Sequence, residues 1–195
     1  MSLQTITVPE PQVGRLSVKL KGTSPLIMHE WSEKSKRQIR EKQQKKACKK
    51  HSKRDPKAEY ESAKVLTSDG KMAVKAISIK KAIVGAARLI DDLPMTLLRV
   101  SIFVRGDEDG LIPLKFKKEK MVEDVVRIGR GVADLRYRPY LYDWEVKVNI
   151  DYNSDVLSAE QVLNLVKLAG FGGLCENRPS KSGGDYGTFE VLPIK

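Results

Sequence analysis

The feature that most constrains the fold is a run from Trp144 to Tyr152 in which every second side chain is apolar. Alternation of this kind predicts a β-strand with one buried and one exposed face. Shorter alternating runs predict strands over Leu16–Leu20 and Leu98–Arg105, and Thr188–Leu192 is expected to form a final strand. The chain is therefore expected to build a sheet with one apolar face.

Two helices are predicted to cover that apolar face. Ser158 and Gln161 form a capping box for the second helix, which is expected to end at Gly170. Ser78 is expected to cap the first helix. The apolar stripe of this first helix recurs at helical spacing and consists of Ile79, Ala82, Ile83, Ala86, Ala87 and Ile90.

With two long segments set aside, the predicted order is strand, helix, strand, strand, helix, strand. This order is typical of a ferredoxin-like α+β fold, a β-α-β-β-α-β core with an antiparallel sheet and both helices on one face. We interpret the two segments, 32–57 and 106–143, as large insertions into a single domain that spans residues 1–195. The chain's 195 residues, 41% of them hydrophobic, suffice for one core.

Positive charge is concentrated in the first insertion. The chain carries 36 Lys and Arg against 25 Asp and Glu, a net charge of +11. Residues 33–57, here called the basic arm, hold +9 of this charge, so the arm gains most from a polyanion; a merely solvated arm is the alternative. Because Ile39 is its only sizeable apolar residue, a membrane partner is disfavoured. The arm residues predicted to bind nucleic acid are Lys34, Lys36, Arg37, Arg40, Lys42, Lys45, Lys46, Lys49 and Lys50.

Further basic residues stand beside aromatic ones. On the predicted strand 98–105, the outward-facing positions are expected to bring basic and aromatic side chains to the open sheet face, unless insertion residues cover that face. In the second insertion, cations and rings interleave between residues 136 and 144, a mixture that suits single-strand binding; the alternative is that Tyr142 and Trp144 are core. The binding candidates are Arg99, Phe103, Arg105, Arg127, Arg130, Arg136 and Arg138.

A glycine-rich stretch, residues 170–187, separates the last helix from the last strand. Glycines allow backbone N–H groups to approach phosphate closely, and nearby cations add charge. The stretch fits neither the Walker nor the Rossmann pattern. The alternative is a flexible connection, which accounts for Gly170 but hardly for the remaining glycines.

Catalytic and metal chemistry have little support. His29, with Glu30 beside it, is a candidate general acid or base, although a lone histidine is more often structural. Cys48 and His51 lack the two further ligands that zinc requires, so neither a metal nor another cofactor is expected. The chain's two cysteines fit a reducing compartment, and the absence of a signal pattern or long apolar run predicts a cytoplasmic protein.

The predicted ferredoxin-like order, with an insertion after the first strand and a glycine-rich loop between the last helix and the last strand, resembles the RAMP superfamily of CRISPR-associated proteins. The closer likeness is to small RAMP-like proteins encoded by phages and prophages, and it rests on three stretches: Thr23–His29, Asn177-Arg178-Pro179 and Gly184–Val191. The resemblance implies that copies line up along a nucleic-acid strand as a homo-oligomer or filament, with CRISPR effector proteins as further partners. It also implies that the glycine-rich loop grips the nucleic-acid backbone through Gly172, Gly173, Arg178, Lys181, Gly183 and Gly184.

The predicted function is therefore a non-enzymatic protein that coats single-stranded DNA or RNA by backbone contacts. One alternative is a metal-independent RAMP-like endoribonuclease that uses His29. Another is an interaction protein that engages or mimics CRISPR effector subunits. The sequence leaves the choice between DNA and RNA open, because phosphate and stacking contacts are common to both.

Overall fold

The structure, a computed structural model, describes residues 8–31, 33–44, 54–128 and 131–192 of the chain. The strands are β1 (Val13–Gly22), β2 (Leu26–Ile27), β3 (Ala73–Lys75), β4 (Ile102–Arg105), β5 (Leu111–Lys115), β6 (Lys118–Ile128), β7 (Val132–Tyr142), β8 (Glu145–Asn153) and β9 (Phe189–Leu192). The helices are α1 (Glu33–Gln43), α2 (Pro56–Ser62), α3 (Ala76–Ala86), α4 (Met95–Ser101), α5 (Ala159–Gly172) and α6 (Pro179–Ser182).

The main sheet is antiparallel and has the order β3-β5-β8-β1-β9, with β4 also paired to β8. Strand β8 is its centre, because it pairs with β1 over its whole length, with β4 near one end and with β5 near the other. Its alternate residues Val146, Val148, Ile150 and Tyr152 are buried, which confirms the predicted alternation.

Helices α3 and α5 pack side by side on the apolar face of this sheet. The capping box of α5 is confirmed, because Gln161 N donates to Ser158 Oγ over 3.2 Å and Ser158 N donates to Gln161 Oε1 over 2.8 Å. This helix continues to Gly172 rather than ending at Gly170, and Gly173 caps it with a φ of +70°. The predicted cap of α3 is wrong: Lys75 precedes the helix and makes no side-chain cap.

The predicted strand 98–105 is half helical. Only Ile102–Arg105 is extended, whereas Leu98 and Val100 belong to α4. Leu98, Ser101 and Ile102 are all buried, and their separation by three and four residues is the spacing of a helix face. Val100 is 69% exposed. The alternating apolar residues were therefore compatible with either structure, and packing against the core selects a helical turn.

The second insertion contains a long β-hairpin where no regular structure was predicted. Strands β6 and β7 pair from Lys118 opposite Tyr142 to Ile128 opposite Val132, and β2 extends them into a three-stranded sheet. Opposite residues such as Asp124 and Arg136 are polar, so the apolar period that identifies a half-buried strand is absent. The same segment also supplies β5, which pairs with β8 of the main sheet.

The architecture is thus a mixed α/β fold with antiparallel pairing, which agrees with the prediction, although the strands form two sheets rather than the one expected. Across the residues that the structure describes, no helix has the length and apolar character needed to cross a membrane.

Gly22 ends β1 directly against Trp144, which is fully buried and donates from Nε1 to Ser24 O over 2.8 Å. A Cβ at this position would overlap the indole ring. Because this ring is fully buried, we expect Gly22→Ala to lower the free energy of unfolding by about 1–3 kcal/mol in urea denaturation. The exposed Ser17→Ala on the same strand should change it by less than about 0.5 kcal/mol, and equal effects would contradict this packing argument.

Candidate nucleic-acid interface

A groove of about 1090 Å³ runs between α3 and the carboxyl end of α5. Residues of β3 and the segment Met28–Glu30 line it on the inner side, and the glycine-rich stretch after α5 continues one wall. The groove therefore lies on the helical side of the molecule, where α3 and α5 form its two walls.

The side chains that line this groove are strongly biased toward positive charge. They include two acids, Glu30 and Glu176, against six basic residues. Among the described residues, no acid forms an ion pair with the exposed cations Lys81 of α3 and Arg99 of α4, which line the groove. These cations create a positive potential that an anion would relieve. The six basic residues are Lys75, Lys80, Lys81, Arg88, Arg99 and Arg178.

Several of these residues were not predicted as binding residues. Lys80 and Lys81 lie on α3, and Arg88 lies in the 3-10 turn Ala87–Leu89 that follows it. Charged residues are ordinary on the polar side of any amphipathic helix, so these three could not be singled out from the sequence. Arg99 was predicted on the open sheet face, but it lies on α4 and lines the groove. Phe171, also unpredicted, is 74% exposed at the opposite wall.

Gly85 lies between the cations of α3. A Cβ at Gly85 would meet nothing within 4 Å, and the residue has no positive φ. Packing inside the protein therefore does not require a glycine here. A glycine within a helix nevertheless costs about 0.5–1 kcal/mol relative to alanine.

The glycine-rich stretch is held to the segment between β1 and β2. Gly187 N donates to Pro25 O over 2.9 Å, and Glu176 N donates to Ile27 O over 3.1 Å. Thr188 N donates to Ser24 Oγ over 3.0 Å. The bonds from Gly187 and Thr188 join the stretch Gly184–Val191 to the stretch Thr23–His29, and the one between Thr188 and Ser24 spans 164 residues of sequence. The stretch is therefore an anchored structure with a short helix, α6, rather than a flexible connection.

Two of the predicted backbone-gripping glycines face their own chain. A Cβ on Gly173 would lie 2.8 Å from Tyr186 O, and one on Gly184 would overlap Asn177 O. Their missing side chains make room for the loop's own backbone, which is sufficient reason for glycine at both positions. By contrast, Gly172 borders the groove with Ser180 Cβ 3.4 Å from an added Cβ, and Gly183, with a φ of +68°, faces open space.

The two cations of this stretch are partly engaged within it. Arg178 donates from Nη1 to Cys175 O and from Nε to Ser180 Oγ. Lys181 Nζ lies 3.2 Å from Glu176 Oε1. Arg178 lines the groove, whereas Lys181 is exposed outside it.

The described part of the basic arm is helical. Lys36, Arg37 and Arg40 lie on α1, where they pair with acids of the same helix at 2.8, 3.7 and 3.8 Å. The backbones of Lys34 and Lys42 also belong to α1. The remaining predicted arm contacts lie outside the described residues: Lys45, Lys46, Lys49 and Lys50.

The hairpin residues separate into accessible and buried ones. Arg127 is exposed on β6, and Arg136 Nε lies 2.9 Å from Asp134 Oδ2. Arg138 is only 2% exposed, and its Nη2 lies 2.8 Å from Asp124 Oδ2. The prediction that Arg138 contacts nucleic acid is therefore wrong, because its guanidinium is buried in an ion pair. Burial of a cation is stable here because the carboxylate neutralises it. Arg130 lies outside the described residues.

The open face of the main sheet carries Phe103 and Arg105, as predicted. Arg105 Nε lies 2.7 Å from Asp151 Oδ2, and Lys80 Nζ lies 4.4 Å from the centroid of the Phe103 ring. Ion pairs on the same face join Lys19 to Glu145 at 2.7 Å, so much of its charge is compensated. Phe103 is the one aromatic side chain on this face in the part of the sheet that the structure describes.

His29 lines the groove with its Nδ1 atom buried, and among the described residues that atom has no hydrogen-bond partner. Burial lowers the pKa of His29 below 6.5, and the positive charges of Arg136 and Arg138 lower it further. The imidazole is therefore neutral at pH 7. Among the described residues, no cluster of three or more His, Cys, Asp or Glu side chains is arranged to hold a metal ion.

These observations define the class of protein: an antiparallel α/β fold with a cationic groove between two helices. The sequence matches no protein-family model, and no curated protein is significantly similar to it. Among solved structures, the fold is similar to that of one chain in the cryo-EM structure of the type III-B Cmr-beta bound to cognate target RNA, with a TM-score of 0.55 and 9% identity. The similarity covers 94% of this chain but only 60% of that one.

A second solved structure, Cmr6 from Pyrococcus furiosus, is similar over 93% of this chain and 99% of its own length. Its identity is 12% and its TM-score is 0.46, too low to carry an argument about the fold. The likeness to the Cmr-beta chain concerns the fold alone.

The lowered pKa of His29 gives a prediction for pH. In the folded protein we expect His29 to titrate below 6.5 by NMR. Because the unfolded chain then binds more protons, stability should fall as the pH drops below 6.5, and His29→Gln should reduce this dependence. Arg136→Ala should raise the pKa by removing one nearby positive charge. A His29 pKa above 6.5 in the native protein would contradict the assigned burial.

Proposed function

We propose that the chain is a RAMP-like subunit that binds single-stranded nucleic acid in the groove between α3 and α5. The observation that carries the proposal is the groove's charge, six basic residues against two acidic ones, with Lys81, Arg88 and Arg99 exposed. Phosphate groups are the polyanion that such a surface fits best, and counterion release would drive the association.

Apolar side chains among the cations favour a single strand. Phe171, Leu89 and Ile77 are 74%, 67% and 51% exposed along the same groove. A duplex presents mainly phosphate and sugar to a groove of this kind, whereas a single strand also presents the faces of its bases. RNA is the first strand to test, because the similar Cmr-beta chain was solved with target RNA.

The proposal includes a ferredoxin-like core made of β1, α3, β4, β8, α5 and β9. Its support is that β9, β1, β8 and β4 lie side by side in that order and are all antiparallel. The remaining strands would be additions to this core. The domain would then be one unit in which 32–57 is an insertion.

Partners are part of the proposal. This chain spans 60% of the length of the Cmr-beta chain that it resembles. We infer that it acts beside CRISPR effector subunits, or beside further copies of itself along one strand. In this arrangement the basic arm would steer the strand toward the groove, because charge attracts at longer range than contact. An origin in a phage or prophage, and a cytoplasmic location, stay predictions.

The test compares two charge-reversal variants by fluorescence anisotropy with labelled single-stranded RNA, single-stranded DNA and duplex DNA. Lys81→Glu with Arg88→Glu changes the groove, and Lys115→Glu with Lys147→Glu changes the open sheet face by the same net charge. We expect the groove variant to weaken strand binding about tenfold or more, because each lost phosphate contact removes counterion release. The sheet-face variant should weaken it much less.

Salt provides the second measurement. For the unaltered protein, log affinity for a single strand should fall linearly with log salt, with a slope of about −0.7 per phosphate contact. The groove variant should show a shallower slope. Equal losses in the two variants, or a slope near zero, would refute groove binding and point instead to a protein partner for the basic surface.

A second candidate function, a metal-independent endoribonuclease, has one specific observation in its favour. His29 lines the groove, and its lowered pKa leaves a neutral imidazole available as a base at pH 7. If the chain cleaves RNA without a metal, His29→Ala should abolish cleavage measured in the presence of a metal chelator. The affinity of this variant for the strand should stay within about twofold of that of the unaltered protein. RNA that remains intact with the unaltered protein under single-turnover conditions would exclude this function.

A further inference from the structure

We propose that Lys81, Gly85 and Arg88 form the contact on α3 for the sugar-phosphate backbone, while Phe171 on the opposite wall stacks against a base. This inference rests on the proposed function and specifies which side chains of the groove contact which part of the strand.

Lys81, Gly85 and Arg88 lie on one side of α3 and of the 3-10 turn that continues it. Lys81 and Gly85 are four residues apart, and Arg88 follows three residues later in the 3-10 turn Ala87–Leu89 that continues the helix. Residues three and four apart on a helix are neighbours on its surface. At a rise of 1.5 Å per residue, or somewhat more in a 3-10 turn, the two cations are about 10 Å apart along the axis. A phosphate group fits between them above Gly85.

Gly85 is a groove glycine whose identity the packing of the described residues leaves unexplained. Among those residues, an added Cβ at Gly85 would meet nothing within 4 Å, and no positive φ requires a glycine there, unlike at Gly173 or Gly183. Alanine would make α3 more stable at this position. A glycine here leaves the helix surface bare at the point between two cations, and close approach of a ligand backbone is a use for which glycine is suited.

Phe171 supplies the complementary contact. It is the penultimate residue of α5, 74% exposed, and it lines the same groove as Lys81, Gly85 and Arg88. A ring with one exposed face beside a cationic path is the arrangement with which proteins bind single strands without reading their sequence. An acidic protein segment is the competing occupant, but it would have no need of a bare helix surface at Gly85.

The experiment adds bulk at Gly85 and measures stability and binding on the same preparations. Gly85→Ala should raise the melting temperature by about 1–4 °C, and Gly85→Leu should not lower it, because both residues favour a helix. We expect Gly85→Leu to weaken binding of a labelled single-stranded RNA at least tenfold, with Gly85→Ala between it and the unaltered protein. Asn164→Leu, exposed on α5 away from the groove, is the matched control and should leave affinity unchanged.

A second arm tests the opposite wall. Phe171→Ala should weaken binding about fivefold to hundredfold, the loss expected for one stacked base, and should remove the fluorescence quenching of 2-aminopurine in the strand. Val125→Ala, which truncates an apolar side chain that is 72% exposed on β6 and does not line the groove, is its control and should preserve the quenching.

The outcomes separate this inference from the proposed function. If Gly85→Leu and Phe171→Ala bind the strand as the unaltered protein does, while Lys81→Glu with Arg88→Glu does not, groove binding stands and this inference is overturned. If the unaltered protein binds neither RNA nor DNA, both are overturned. A stable Gly85→Leu that has lost strand binding supports the inference, because a purely structural glycine would change stability in the opposite direction.

Discussion

The groove depends on a buried junction between the two ends of the chain. Trp144 is fully buried and donates to Ser24 O, while the Ser24 hydroxyl accepts from Thr188 N. Through these bonds the turn after β1 holds both the start of β8 and the approach to β9. Gly22 provides the space for the indole ring. Because the glycine-rich stretch leads directly into this junction, the position of one groove wall follows from it.

The junction also decides what the glycines of that stretch can do. In this anchored loop, backbone segments pass close to one another. Gly173 and Gly184 allow that approach, because a side chain at either position would overlap a carbonyl oxygen of the same loop. They are therefore not the bare surface that phosphate would need. Gly85 is in the opposite situation, since the protein gains no contact from its missing side chain and loses helix stability. The principle that glycines expose backbone to phosphate thus applies to Gly85 and, within the glycine-rich stretch, to Gly172 and Gly183 rather than to Gly173 and Gly184.

The sequence was sufficient to predict those helices and strands whose spacing of apolar residues fits only one kind of element. The alternation of β8 and the capping box of α5 were both predictable, because one face of each element is buried continuously. It was insufficient where two periods coincide, as in Leu98–Val104, and where a hairpin has polar residues on both faces, as in β6 and β7. For the site, Arg138 shows the same limit: only the fold places Asp124 beside it and removes it from the surface.

Net charge alone is a poor guide to where a polyanion would bind this chain, because acidic side chains neutralise the cations on some surfaces and not on others. The arm's helix α1 pairs Lys36, Arg37 and Arg40 with its own acids, and the open sheet face pairs Lys19 and Arg105 in the same way. Exposed pairs of this kind are weak, but each brings a negative charge that a phosphate must displace or approach. In the part of the chain that the structure describes, no acid forms an ion pair with Lys81 of α3 or with Arg88 of the following 3-10 turn, so a small number of charges there can outweigh a larger number elsewhere.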